Sequence, residues 1–282
     1  MTASSITMGP PETDVLPPGF GVSEEAGYFE ISGTHLYTVL HEVENPVARI
    51  LLVGPFAGER HYSYVPWVRW ARYLASARIE ALRYDYRGVG ESTGVFEEMT
   101  FEKWTEDATA LSGWLNERTP KTPVILHGLG LGALLAKRAF NANLGDALLL
   151  WSPPPTANES LRQAISRRVG LDHSFRRGVE RKPLSEYIEN LEAEPIEVDG
   201  YRLTGSLWRN SLTFDATDIA SDQPIQSESG RPVKCVTLDK RSAPLVKGSS
   251  LGYLSVNPDL SFLFAETVEW LTTTICGLRR QE

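Results

Sequence analysis

Short apolar runs alternate along the middle of the chain with longer segments whose apolar residues recur at helical spacing. The apolar runs predict buried strands at 48–56, 79–88, 123–128, 147–155 and 232–239. The segments of helical spacing predict helices at 62–78, 100–119, 132–142 and 260–275. Buried strands that alternate with helices are typical of βαβ units, so the pattern predicts an α/β fold with a mostly parallel sheet.

The two ends of this pattern and one internal stretch differ from it. Residues 1–24 are rich in Pro, Gly, Ser and Thr and are expected to form a flexible tail before a single domain at 25–282. Residues 27–43 alternate between apolar and polar around Ser32-Gly33, which predicts a β-hairpin. The stretch from about 156 to 230 breaks the alternation of strands and helices, and we expect a partly helical insertion over one end of the sheet.

Composition excludes several classes of function. The chain of 282 residues has a formal net charge of −8, which argues against nonspecific binding to nucleic acid. Its two cysteines and five scattered histidines form no metal-ligand spacing, so neither a metal nor another cofactor is expected. The N-terminal residues lack the basic and apolar regions of a signal peptide, and no apolar stretch is long enough to cross a membrane. We therefore expect a soluble, cytoplasmic protein that does not associate with membranes.

The glycine-rich run "LHGLGLGALLA" at 126–136 follows a predicted strand and precedes a predicted helix. Gly128, Gly130 and Ala133 fit the dinucleotide-binding pattern G-x-G-x-x-[GA]. However, the next predicted strand ends in "WSPPP", which offers no acidic residue for a ribose hydroxyl group. NAD or FAD binding is therefore not the favoured interpretation.

Four motifs in order, "ILLVGPF", "LRYDYRGVGESTG", "VILHGLGLGALLA" and "LLLWSPP", resemble the α/β-hydrolase superfamily. The similarity extends over residues 25–277 and is greatest to the serine-peptidase-like branch and its exosortase-A-associated hydrolases. "PFAGERH", "VDGYRLTGSL" and "NPDLSFLFAETVEWL" carry the resemblance to that subgroup. The resemblance implies a parallel sheet flanked by helices, an inserted lid, and a link to exopolysaccharide or protein export.

In that superfamily the nucleophile stands at the centre of Gly-x-Ser-x-Gly, on a sharp turn between a strand and a helix. Gly128 and Gly132 match the two flanking glycines, and Gly130 occupies the nucleophile position. The family's histidine would lie near the C-terminus, but this chain has no histidine after position 173. Asp239 matches the position of the family's acid and has no histidine to orient. The absence of both the serine nucleophile and the family's histidine predicts a protein without serine-hydrolase catalysis.

The candidate pocket around this position consists of Phe56, Ala57, Glu59, His61, Gly130 and Leu131. The backbone N–H of Leu131 and one from the Phe56–Ala57 turn would form the oxyanion hole. Because both donors belong to the backbone, the oxyanion hole would remain when side chains are replaced. We expect it to bind a small acyl or carbonyl ligand, or a protein partner, as a binding or accessory module. The alternative is an ester or acyl hydrolase that uses a non-standard set such as His61, Glu59 or Asp239.

Two further features have competing interpretations. His61 is either a surface histidine or an unusual base, whereas His127, at the end of a central strand, is expected to be buried and hydrogen-bonded. A basic cluster occupies the predicted insertion, at Arg162, Arg167, Arg168, Arg176, Arg177, Arg181 and Lys182. It is either a solvated helix face or a site for an anionic partner at Arg167, Arg168, Arg176 and Arg177.

Overall fold

A computed structural model describes residues 6–8, 23–56, 59–118, 121–175, 182–217, 225–227, 229–238 and 259–279. Its strands are β1 (Ile6–Met8), β2 (Ser23–Ile31), β3 (Thr34–Glu42), β4 (Ala48–Val53), β5 (Ile79–Tyr84), β6 (Val124–Leu129), β7 (Ala147–Trp151), β8 (Ile196–Val198), β9 (Tyr201–Leu203), β10 (Ile225–Gln226) and β11 (Pro232–Val236). Its helices are α1 (Glu59–Ser76), α2 (Phe101–Arg118), α3 (Leu131–Asn141), α4 (Ala157–Phe175), α5 (Leu184–Glu189), α6 (Gly205–Ser211) and α7 (Ser261–Leu278).

Within the described residues, one nine-stranded sheet has the order β1-β2-β3-β5-β4-β6-β7-β11-β10. The five central strands β5, β4, β6, β7 and β11 are parallel, which confirms the predicted α/β fold with a mostly parallel sheet. Every residue of β4, β6 and β7 is buried, because helices cover both faces of the sheet.

Alternate residues of each central strand enter two different cores. Leu51 packs on one face of the sheet with residues of α2 and α3, whereas Ile50 and Leu52 pack on the other face with residues of α1 and α7. Successive side chains of a strand point to opposite faces, so one apolar run supplies both layers. This arrangement places the first turns of α1 and α3 beside the carboxyl ends of β4 and β6.

The N-terminal part of the sheet is antiparallel. β2 and β3 form the predicted hairpin, with Ser32 at φ 49° and Gly33 at φ 76° in its two-residue turn. The prediction of a flexible tail at residues 1–24 is wrong at two places. Ile6–Met8 forms a strand that pairs with β2, and β2 itself begins at Ser23. A composition rich in Pro and Ser does not prevent three residues from adding to an open sheet edge.

The chain between β7 and β11 contains helices α4, α5 and α6 and the small antiparallel pair β8–β9. It contacts the sheet domain at the start of α2, where Asn210 Oδ1 accepts a hydrogen bond of 2.6 Å from the Phe101 backbone N–H. These elements agree with the partly helical insertion that the sequence predicts at about 156–230. The role of this segment as a lid, and the division of the chain at 25, stay predictions.

Candidate functional site

The turn between β6 and α3 has the geometry of a nucleophile elbow. Gly130 alone separates Leu129, the last residue of the strand, from Leu131, the first of the helix. Its backbone angles are φ 57° and ψ −129°, a conformation that costs an L-residue about 1–3 kcal/mol. The Gly130 N–H donates a 3.0 Å hydrogen bond to the Trp151 carbonyl of β7, which fixes the turn to the neighbouring strand. The fold has therefore kept the elbow, and glycine occupies it without strain.

The two flanking glycines are required by close approach. A Cβ atom at Gly128 would overlap the backbone of Ala133, and one at Gly132 would overlap the carbonyl oxygens of Val53 and Gly54. The Gly54 carbonyl also accepts a hydrogen bond of 2.7 Å from the Tyr86 hydroxyl group. These contacts hold the start of α3 directly against the end of β4.

The Glu59 carboxyl group lies near two of the residues whose N–H groups are predicted to form an oxyanion hole, Phe56 and Leu131. The backbone N–H groups of Phe56 and Leu131 lie close enough to this carboxyl group to lower its pKa. Its Oε2 atom is buried and has no hydrogen-bond partner among the described residues. Burial raises the pKa of Glu59 to about 7, and the two N–H donors and Arg167 oppose that rise. A side chain of the same protein thus lies near the predicted oxyanion donors, and their role as an oxyanion hole stays a prediction.

The positions of α1 and α3 explain this contact. The first N–H groups of a helix lack intrahelical partners and carry the positive end of the helix dipole, so a carboxyl group is stabilised there. Leu131 is the first residue of α3, and Glu59 is the first residue of α1. The Glu59 N–H donates to the Phe56 carbonyl at 2.9 Å, and the Ser63 hydroxyl donates to the Glu59 carbonyl at 2.9 Å. These bonds fix the backbone from which the carboxyl group reaches Leu131.

The predicted site residues differ in where the structure places them. His61 is exposed near the start of α1, whereas Phe56, Glu59 and Leu131 are brought together. Ala57 and Asp239 lie outside the described residues. His127 is fully buried, its Nδ1 lies 3.1 Å from the Leu149 carbonyl oxygen, and burial lowers its pKa to about 3, which confirms the predicted structural role.

Charged residues of the turn "DYRGVGES" after β5 form hydrogen bonds and an ion pair that connect the turn to α1 and α2. Asp85 accepts a hydrogen bond of 2.6 Å from Arg60 and one of 3.0 Å from the Glu91 backbone N–H. Arg87 forms a buried ion pair with Asp107 of α2, with an Arg87 Nε–Asp107 Oδ1 distance of 3.0 Å. Burial raises the pKa of Asp107 to about 6, against the opposing effect of Arg87. The resemblance drew attention to this motif, but its partners Arg60 and Asp107 are far away in sequence and were not identified.

A small cavity of about 30 Å³ lies beside this turn, between α1 and β5. Arg60, Tyr64, Arg83 and Tyr84 contribute to its lining. The Tyr84 hydroxyl group is buried without a hydrogen-bond partner among the described residues, and its pKa is raised well above the ordinary value by burial. The space is enough for one or two water molecules.

The described part of the basic cluster is largely engaged within the insertion. The Arg162 guanidinium lies 5.8 Å from the centre of the Trp208 ring, and the Arg168 Nε donates to the Glu197 carbonyl at 3.0 Å. Arg167 is exposed on α4 and acts electrostatically on Glu59. Arg176, Arg177 and Arg181 lie outside the described residues, and a site for an anionic partner stays a prediction.

The described residues lack two features, a metal-ligand cluster and a membrane-spanning helix. They contain no group of three His, Cys, Asp or Glu side chains that could hold a metal ion. None of their helices combines the length and the apolar character needed to span a bilayer. The location in the cytoplasm stays a prediction.

Comparison with known proteins identifies the fold to which this turn and sheet belong. Residues 67–171 match the family model of the serine aminopeptidases S33. Est1E from Butyrivibrio proteoclasticus, solved with ferulic acid bound, superposes with a TM-score of 0.61 at 19% identity, over 88% of this chain and 99% of that one. The α/β hydrolase GrgF from Penicillium sp. sh18 gives a TM-score of 0.56 at 17% identity, over 90% of this chain and 99% of that one. The fold is therefore that of the α/β hydrolases.

The family model, which covers residues 67–171, agrees with this fold. One curated relative, from Photorhabdus laumondii, is described as an acyl transferase. It is 25% identical over 191 residues, which make up 66% of this chain. The chain spans only 56% of the length of that relative.

Proposed function

We propose that this α/β-hydrolase-fold chain binds a small ligand at its elbow without serine-hydrolase catalysis, as a binding or accessory module. The observation that carries the proposal is the pairing of Gly130 at the nucleophile position with the Glu59 carboxyl group near the predicted oxyanion donors. A link to exopolysaccharide or protein export is part of the proposal and rests on the resemblance to exosortase-A-associated hydrolases.

The chemistry of acyl transfer supports this proposal. A serine hydrolase needs a hydroxyl nucleophile, a base within hydrogen-bond reach of it, and free N–H donors for the oxyanion. Gly130 has no side chain, and the sequence has no histidine after position 173. The predicted acyl or carbonyl ligand would also have to compete with Glu59 for both N–H groups.

The second candidate is an ester or acyl hydrolase in which Glu59 activates a water molecule. One observation favours it: a pKa of about 7 suits a general base near neutral pH. The acyl transferase from Photorhabdus laumondii is consistent with an acyl substrate. In this mechanism the carboxylate would move away from the N–H pair, and the substrate carbonyl would take its place.

A panel of activated esters distinguishes the two candidates. Turnover of p-nitrophenyl acetate, butyrate and octanoate by the full chain should equal that by Glu59→Gln and His61→Ala. A fluorophosphonate probe should label neither the wild type nor these variants. Turnover well above background that disappears in Glu59→Gln or His61→Ala would replace the binding module by the hydrolase.

A further inference from the structure

Two arginine side chains line the cavity between α1 and β5 and approach it from different elements. Arg60 is in the first turn of α1, and Arg83 is the last residue but one of β5. The Cζ atoms of Arg60 and Arg83 lie 5.3 Å and 5.8 Å from the centre of the Tyr64 ring, which also lines the cavity. Contact with an aromatic face leaves N–H donors available, because these donors lie in the guanidinium plane.

The charges around this cavity do not cancel among the described residues. Arg60 Nη2 donates to Asp85 Oδ1 at 2.6 Å, and Asp85 Oδ2 accepts from the Glu91 backbone N–H at 3.0 Å, so both oxygens of Asp85 are engaged. Arg83 Nε donates to His41 Nε2 at 3.2 Å, and no described carboxylate forms an ion pair with Arg83. Burial lowers the pKa of His41 to about 3, so its imidazole ring is neutral. Two cations and one anion leave one positive charge at the cavity.

We propose that this cavity binds the carboxylate group of a small monovalent acid through the guanidinium groups of Arg83 and Arg60. The planar N–H fork of a guanidinium group matches a carboxylate, and such charge-assisted hydrogen bonds are stronger than neutral ones. A monovalent anion balances the single positive charge, whereas a dianion such as sulfate would place excess negative charge beside Asp85.

The size of the cavity agrees with this ligand class. Its volume of about 30 Å³ is enough for one or two water molecules, and therefore for the two oxygen atoms of a carboxylate group. The rest of the acid would extend along Tyr64, which lines the cavity and is 43% exposed.

The cavity is adjacent to the elbow and separate from it. Gly54 and Tyr86 line the cavity, and the Gly54 carbonyl, which accepts from the Tyr86 hydroxyl group, lies against Gly132 at the start of α3. Leu131 of the elbow does not belong to the lining. Occupation of the cavity is therefore independent of the ligand proposed for the elbow, and the amide signal of Leu131 reports on the elbow alone.

The test is an NMR titration of the ¹⁵N-labelled full chain with sodium acetate at pH 6.5, with the ionic strength held constant by sodium chloride. We expect saturable shifts of the Nε–H signals of Arg83 and Arg60, which are assigned by their loss in Arg83→Lys and Arg60→Lys. Sodium sulfate should bind more weakly than acetate. Methylammonium chloride, a cation, should produce no saturable shift at these signals.

The informative variant is Arg83→Gln, which removes the uncompensated charge. It should bind acetate at least about tenfold more weakly, as the Arg60 Nε–H signal reports, since a hydrogen bond to a charged group is lost. Arg83→Lys keeps the charge without the planar fork and should also bind more weakly than the wild type. Arg69→Gln is the matched control, because Arg69 lies on α1 and does not line the cavity, and it should bind as the wild type does.

Several outcomes overturn the proposed site. Absence of saturation at both arginine signals, sulfate binding as tight as that of acetate, or wild-type affinity in Arg83→Gln would each do so. If Arg83→Gln does not fold, wild-type affinity in Arg83→Lys would contradict recognition by the guanidinium fork. Saturable shifts at the Leu131 amide without shifts at Arg83 would end the cavity site and leave the function proposed for the elbow in place. Ester turnover that depends on Glu59 would remove the elbow function and leave the cavity site unaffected.

Discussion

The Leu131 backbone N–H lies close enough to the carboxyl group of Glu59 to lower its pKa, and the two residues are the first of α3 and α1. In a serine hydrolase the corresponding N–H stabilises the oxyanion of the substrate. Here the carboxyl group of Glu59, a residue of the same chain, lies near that N–H. The glycine at position 130 and the approach of Glu59 both support the proposed absence of serine-hydrolase catalysis.

Restoring the serine should not restore the enzyme. We expect Gly130→Ser to remain unlabelled by a fluorophosphonate probe, because no histidine follows position 173 and Glu59 lies near the predicted oxyanion donors. The variant should lose about 1–3 kcal/mol in the free energy of unfolding, since its φ of 57° and ψ of −129° are unfavourable for serine. Probe labelling and urea unfolding measure the two effects.

The control is Gly113→Ser, in the interior of α2, where an added Cβ would meet nothing within 4 Å. It should be neutral or slightly stabilising. Labelling of Gly130→Ser at residue 130 would show that a base is available at the site and would contradict the loss of catalysis.

The start of α3 should tolerate no side chain at Gly132. In Gly132→Ala the new methyl group would overlap the carbonyl oxygens of Val53 and Gly54, so we expect a loss of about 3 kcal/mol or more in the free energy of unfolding. Gly113→Ala, by contrast, should gain about 0.5–1 kcal/mol. Urea unfolding of both variants compares them, and equal stabilities would mean that α3 lies further from β4 than the structure has it.

The central sheet and its helices were predictable because their signals are local. The central strands are mostly apolar runs, and the flanking helices repeat apolar residues at helical spacing, so the predicted bounds 123–128 for β6 fall within a residue of the observed 124–129. The elbow followed from the same local signals together with the glycine spacing. His127 is buried, as its position at the end of a central strand indicated.

The approach of Glu59 to Leu131 could not be predicted in this way. It depends on two helix N-termini, at Glu59 and Leu131, that are 72 residues apart in sequence and meet only because β4 and β6 are adjacent in the sheet. The sequence did include Glu59 in the candidate pocket, but as an alternative base. The pairing of β1 with β2 was missed for a similar reason, since three residues carry too little periodicity to indicate a strand.

The ion pair between Arg87 and Asp107 should be a stability determinant outside the site. Both side chains are buried, and removing one charge leaves the other without compensation. We expect Asp107→Asn to lose about 3–5 kcal/mol in the free energy of unfolding, measured with urea at pH 8. Its exposed neighbour provides the control, because Glu106→Gln should change stability by less than about 0.5 kcal/mol. Similar losses for both variants would contradict a specific role of the pair.

Glu59 should make the protein less stable as the pH rises toward neutrality. Its pKa is raised from 4.5 to about 7 by burial, so between these values the folded state holds a proton that the unfolded state has released. Stability falls with rising pH wherever the folded state binds more protons. From pH 5 to pH 8 the wild type should therefore lose about 2–3 kcal/mol relative to Glu59→Gln.

The comparison with Glu59→Gln isolates this effect, because Asp107, whose pKa burial raises to about 6, contributes with the same sign to both proteins and cancels in the difference. Urea unfolding of the wild type, Glu59→Gln and the control Glu102→Gln, which also changes a glutamate in the first turn of a helix, makes the measurement at pH 5 and pH 8. The Glu102→Gln curve should follow that of the wild type. Parallel pH dependences for the wild type and Glu59→Gln would mean that the carboxyl group is not desolvated in the folded protein, and the elbow would then present an ordinary solvated glutamate.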